Sequence, residues 1–127
     1  MGHAKTNLRQ VEDSAAKHGV GTTQEARFPR SELGAEQTGM NYLIVKPGLR
    51  EAFAHRHHQA EEMYVVLAGS GRVKLDDELL DLSPLDVVRV APGTTRKFEA
   101  GSEGLEVLVF GPHVEGDGEI VEGFWES

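Results

Sequence analysis

From Asn41 onward the chain falls into short β-branched or apolar runs, each closed by a turn signal: NYLIVK, EAFAHRH, EMYVVLA, GRVKL, ELLDL, DVVRVA, RKFEA and LEVLVF. Runs of this length suit strands and are too short for core helices. The breaks between them carry turn residues: Pro47-Gly48, Gly69-Ser70-Gly71, Asp76-Asp77, Ser83-Pro84, Pro92-Gly93 and the stretch 100–104. About eight closely spaced strands with no helix-length segment predict an all-β chain, either a sandwich or a barrel.

Residues 1–39 have a different texture, being polar and interrupted by glycines, with one short helix expected from Asp13 as N-cap to Gly19 as its stop. This stretch reads as an N-terminal arm laid on the core, with Phe28 and Leu33 as its anchors. Residues 40–112 read as the β-barrel and 113–127 as a C-terminal tail, whose Phe124 and Trp125 are expected to dock on the body or on a partner subunit. A chain of 127 residues with 39% hydrophobic content suffices for one core. Thirteen basic against twenty-one acidic residues give a formal charge of -8, which repels a phosphate backbone. Arg72, Lys74, Arg89, Arg96 and Lys97 are scattered among acids rather than gathered in a stripe, so nucleic acid is excluded as a partner. There is no cysteine, hence no disulfide or thiolate site. No stretch approaches the ~20 apolar residues of a membrane span, and the opening MGHAKTNLRQVEDSAAKHG lacks the apolar core of a leader. The expectation is a soluble cytoplasmic protein without a membrane partner.

The stretch HRHHQAEE, residues 55–62, concentrates three of the six histidines and closes on two glutamates. In a strand, residues two apart share a face, so Phe53, His55 and His57 are expected on one side and Ala54 and Arg56 on the other. The four residues 58–61 read as a turn. A carboxylate opening the next strand then lies near both imidazoles across the ladder, although parity alone does not choose between Glu61 and Glu62. Two imidazoles and a carboxylate suit Fe(II), Mn, Ni, Co or Zn and leave coordination positions open. The plain alternative is a pair of barrel histidines hydrogen-bonded to Glu62. His58, on the opposite face, is expected to be exposed.

On these residues the run from Pro47 to Phe110 resembles a small single-domain member of the cupin superfamily. The first motif of that family is matched by Gly48, His55, His57, Glu62 and, after six intervening residues, Gly69; this spacing favours Glu62 over Glu61. Gly48 stands one residue further from His55 than is usual in the family. The resemblance implies a cupin-type double-stranded β-helix, or jelly-roll barrel, with a divalent metal on His55, His57 and Glu62. It also implies a homodimer, since small cupins often pair and the sheet has edges to cover.

The family's second motif runs into a Pro-x-Gly turn and a third histidine, and here the corresponding stretch is DVVRVAPGTTRKFEA. Aligning Gly93 with the family's glycine puts Arg96 in the place of that histidine. A guanidinium stays protonated and has no lone pair for a metal. Three readings follow. The metal is retained on His55, His57 and Glu62 with Arg96 gripping an anionic group of a substrate. Alternatively the metal is absent, and Arg96 pairs with Glu62 in a pocket that binds a small anion. In the third, Arg96 is a structural partner for Glu62 or Asp86. By parity Phe53, Tyr64 and Phe98 line the pocket, with the Tyr64 hydroxyl free to orient a ligand or move a proton; Tyr64 and Arg96 are therefore the candidate catalytic residues. Function divides into a metal-dependent oxygenase or isomerase acting on a small anionic metabolite, and a non-catalytic, metal-free ligand-binding or sensing module with Arg96 as its anion-binding residue.

Overall fold

Two long strands carry the architecture in the computed structural model, which describes residues 2–126. In β4 (Glu62–Leu75) and β7 (Arg96–Pro112), alternate residues are buried: Tyr64, Val66 and Val73 in one, Arg96, Phe98, Ala100, Leu105, Val107 and Val109 in the other. The two pair antiparallel from Met63↔Phe110 to Leu75↔Arg96. The remaining strands are β1 (Gln24–Arg27), β2 (Thr38–Val45), β3 (Ala54–His57), β5 (Glu78–Leu82), β6 (Val87–Val90) and β8 (Gly118–Val121). One side of the curled sheet runs β1-β2-β7-β3-β8, and β4 joins it through β7 while also pairing β5 and β6. The inner faces of β2, β4 and β7 supply one core, which includes Leu43, Val45, Tyr64, Val73, Phe98, Leu105 and Val107. The fold is the expected all-β barrel.

Four of the eight expected runs merge into these two strands. The turns anticipated at Gly69-Ser70-Gly71 and at 100–104 do not form; both stretches stay in strand, with register shifts between Val66 and Ala68 and between Gly69 and Gly71. The glycines serve close passage instead. A Cβ on Gly71 would stand 2.0 Å from the Glu99 carbonyl oxygen, and one on Gly69 would stand 2.0 Å from that of Gly104. Bulges at these points increase the twist and let one strand turn the barrel's corner without ending.

In the N-terminal stretch, Asp13 caps the first helix, α1 (Ser14–Lys17), by accepting the Ala15 N–H at 3.0 Å, and Gly19 follows with φ 80°. The same carboxylate accepts the Ala26 N–H at 3.0 Å, tying α1 to β1, which pairs β2. The anchors differ from those expected: Val11, Ala15 and Ala26 are buried, whereas Phe28 is 50% exposed and Leu33 only partly covered. A second helix, α2 (Arg30–Leu33), ends at Gly34 in the left-handed region. At the other terminus β8 pairs β3, and Trp125 is buried beneath the guanidinium of Arg50, 4.2 Å from its ring centroid. Arg50 also donates to the Trp125 carbonyl at 2.7 Å. The tail is thus clasped to the barrel. No helix among the described residues is long and apolar enough to cross a membrane.

Candidate functional site

Strand parity brings His55 and His57 to one face of β3, with ring centroids 5.1 Å apart and planes at 89°. The chain reverses over residues 58–61, and Glu62 opens β4. β3 and β4 are not laddered to each other, as had been expected; both pair with β7, and the curl of the sheet brings Glu62 to the histidines. Glu62 Oε1 lies 3.3 Å from His57 Nε2 and 3.8 Å from His55 Nε2, and the three donor atoms all fall within 4.8 Å of one another. Glu61 points away, exposed, and pairs with Arg89 at 3.0 Å, which resolves the ambiguity left by parity. His58 is exposed.

Arg96 is fully buried, and its donors are committed within the site. Nη2 donates to Glu62 Oε1 at 2.8 Å, Nε donates to the Tyr64 hydroxyl at 3.0 Å, and Nη1 donates to the Thr94 carbonyl at 2.7 Å. The Tyr64 hydroxyl in turn donates to Glu62 Oε1 at 2.8 Å, while its ring packs on Phe98 at 4.9 Å. Tyr64 and Arg96 therefore act on Glu62, holding its carboxylate in place. Phe53 is 40% exposed rather than lining the interior, because residues 51–53 bend before β3 begins and the parity of the strand does not reach it.

Burial opposes ionisation of Glu62, but hydrogen bonding with His55 and His57, the charge of His57 and the Tyr64 hydroxyl outweigh it and hold the carboxyl well below its usual range. Burial also lowers His55, keeping its imidazole neutral near pH 7 with a lone pair to give. Tyr64 is raised well above its usual value, first by burial and then by the Glu62 charge, so it remains a hydroxyl. For His55 and Glu62 this is the protonation state a metal ligand requires, neutral imidazole and ionised carboxylate. The separations of 3.3 and 3.8 Å also suit ligand atoms about 2.1 Å from a shared ion. A carboxylate offers about four acceptor positions, two on each oxygen; Arg96 and Tyr64 occupy those of Oε1, so an ion would be met by Oε2 or would take the place of one of these donors. The residues present fit a divalent ion.

Sequence reasoning missed Asp117. It is buried, and its carboxylate accepts the N–H groups of Gln59 at 2.8 Å and Ala60 at 2.9 Å, binding the C-terminal tail to the turn between His57 and Glu62. Its Oδ2 also stands 3.4 Å from Nδ1 of His57, a buried nitrogen that makes no hydrogen bond. A carboxylate behind a ligating imidazole is a common means of orienting the ring. The only signal in the sequence was an aspartate between two glycines, GDG, which marks a turn but not its destination.

A cavity of about 310 Å³ opens beside this group. His57 and Glu62 form part of its wall, with Arg30, Asn41, Phe28, Met40 and Val109 among the others. Arg30 and Asn41 were also not anticipated, since they lie outside both motifs.

The profile of a cupin domain matches residues 41–111. The chain is 27% identical over 121 residues to an uncharacterized protein of Methanocaldococcus jannaschii, covering 93% of this chain and 94% of that protein. It is similar in structure to a cupin protein from Bacteroides fragilis, with a TM-score of 0.72 at 22% identity over 98% of this chain and 92% of the other. It also resembles a sugar phosphate isomerase of the cupin superfamily from Silicibacter pomeroyi, with a TM-score of 0.71 at 18% identity over 94% and 82% of the two chains. With a curled all-β sheet, the His-x-His and Glu62 group on its inner face and a matching profile over more than half its length, the chain belongs to the cupin family.

Proposed function

We propose that this protein is a metal-carrying cupin that takes a small anionic metabolite in the cavity beside His55, His57 and Glu62, and that it works as a homodimer. The observation that carries the reading is the convergence of two imidazole Nε2 atoms and one carboxylate oxygen within 4.8 Å, with His55 neutral and Glu62 ionised. In this reading His55, His57 and Glu62 hold the ion, while Tyr64 and Arg96 position Glu62 and balance its charge. A divalent ion there would supply Lewis-acid or oxygen-activating chemistry. The protein's own residues exclude water through the packed Tyr64, Phe98 and Val109 and keep the carboxylate oriented. The similar protein from Silicibacter pomeroyi is named as an isomerase of sugar phosphates, which agrees with an anionic substrate.

One observation favours a second reading, a metal-free ligand-binding module. Arg96 stands where the resemblance expects a third histidine, and its 2.8 Å hydrogen bond to Glu62 already neutralises the carboxylate. Elemental mass spectrometry on protein purified without chelators or a histidine tag separates the two. About one divalent ion per chain, lost in His57→Ala, is the expected result. A metal-free parent that gains an ion only as Arg96→His would overturn the first reading in favour of the second.

A further inference from the structure

Glycine inside a strand weakens it, and a fold ordinarily explains one by a left-handed backbone, a bulge, or the close passage of another part of the chain. Gly39, in β2, has none of these. Its φ lies outside the left-handed region, and β2 keeps unbroken register with β7 from Thr38↔Pro112 to Val45↔Leu105. A Cβ on Gly39 would meet nothing nearer than the Gly111 carbonyl oxygen at 3.5 Å and the Cβ of His113 at 3.9 Å, which are ordinary contacts. Gly111, its register partner, is different. A Cβ there would stand 2.5 Å from the Glu61 carbonyl oxygen, so the chain itself demands that glycine. For Gly39 the remaining reason is a ligand that comes close to the backbone.

Its position agrees. Parity puts Gly39 on the inward face of β2 with the buried Leu43 and Val45. Gly39 and Gly111 both line the cavity of about 310 Å³ whose wall includes His57 and Glu62, and a Cβ on Gly111 would lie 3.4 Å from Glu62 Cγ. The two glycines thus make a stretch of bare backbone wall that begins beside the Glu62 side chain and runs one strand outward. Gly39 is partly exposed, so a molecule in the cavity can reach it. A cavity of this volume is at the small end of ligand sites.

We infer that Gly39 sets which molecules this cavity admits: the space left by its missing side chain takes the body of an organic anion about one ring in size, whose acidic end lies toward His55, His57 and Glu62. The inference rests on the reading of that group as the metal site, and adds the size class of the substrate and the residue that selects it. A side chain at position 39 would suit the strand and close the space.

The test is amide NMR on the isotope-labelled full chain, titrated with zinc and then with benzoate or acetate. In the parent, benzoate is expected to shift the Gly39 and Gly111 amide signals saturably and to bind about tenfold or more tightly than acetate, whose body is too short to use this wall. In Gly39→Val, benzoate is expected to fall to the level of acetate, while acetate binds as before; Gly39→Ala should lie between. Because the added side chain meets only ordinary contacts, Tm in both variants should equal or exceed that of the parent. Benzoate binding that is absent in the parent or unchanged in Gly39→Val would overturn the inference, and so would its loss together with a lowered Tm, which would make Gly39 a requirement of the fold. The metal reading is scored separately, on the His55 and His57 amides. Zinc shifts there, beside benzoate binding unchanged in Gly39→Val, would keep the ion and remove the size filter. No zinc shifts, beside benzoate binding lost in Gly39→Val with Tm retained, would do the reverse.

Discussion

At the residue scale, Glu51 shows how burial alone can couple this fold to pH. Its side chain is buried, its Oε1 accepts the Phe98 N–H at 2.8 Å, and its own N–H donates to the Phe98 carbonyl at 2.9 Å. Burial, only partly offset by the Phe98 N–H and the charges of Lys97 and Arg96, pushes the carboxyl from the usual 4.5 up to about 7. The folded chain therefore holds this proton where the unfolded chain has released it, and stability falls as pH rises from about 4.5 to about 7. Above that window the penalty is fully present, of order 3 kcal/mol. Glu51→Gln keeps an acceptor for Phe98 but cannot ionise. Chemical denaturation should find the variant more stable than the parent at pH 8, with the gap closing toward pH 5; a gap that does not change with pH would refute this account. Glu62 works in the opposite sense. Its carboxyl lies below the usual range, so its contribution is present at neutral pH and is lost as pH falls through the acid range.

At the element scale, the strands and the pairing of His55 with His57 on one face were legible because both depend on period-two alternation, which is a property of the local chain. Glu62 was preferred over Glu61 only through the motif spacing of the resembled family, and the helix at Asp13 was placed from its cap. The misreadings arose where glycine has two meanings. At Gly69 and Gly71 it permits a close crossing with β7 rather than a reversal, and only the partner strand reveals which. Asp117 was illegible for a related reason: it matters through contacts far away in sequence. Asp117 illustrates the energetic side. Burial works against its ionisation, but the Ala60 and Gln59 N–H groups and the charge of His57 keep it below the usual range. In Asp117→Asn one of the two acceptor oxygens becomes a donor, so a backbone N–H loses its partner and His57 loses the charge behind its ring. Metal affinity, measured by competition with a chelating dye, should fall about tenfold to a hundredfold, with Tm lowered. Unchanged affinity would mean that the turn holds its shape without the tail.

At the scale of the whole molecule, the outer surface carries an apolar patch where β6 pairs with β4. Leu85 is 78% exposed, Val87 56% and Leu67 41%. Leu85 is held at φ 73°, a conformation costing a leucine about 1–2 kcal/mol, while its N–H donates to Val66 at 2.8 Å. A large apolar side chain fixed outward against its own preference is the kind of feature a second subunit would cover. Light scattering should give twice 13.9 kDa for the parent and a monomer for Leu85→Asp combined with Val87→Asp. A parent that is already monomeric would remove the homodimer from the proposed function.

The pairings of β7 also bear on how the protein is made. Arg96–Pro112 joins β2, β3 and β4, strands that are synthesised long before it. On a ribosome, the earlier two-thirds of the chain can form local hairpins such as β4 with β5, but the wall that unites them does not yet exist. Arg96 reaches Glu62 only after β7 emerges, and Asp117 fastens the His57 turn later still. An ion meeting the nascent chain would find two histidines and a glutamate with nothing to orient them. If the proposed metal reading holds, loading would be an event of the finished protein, and the metal available once folding is complete, rather than when synthesis begins, would decide which ion it takes.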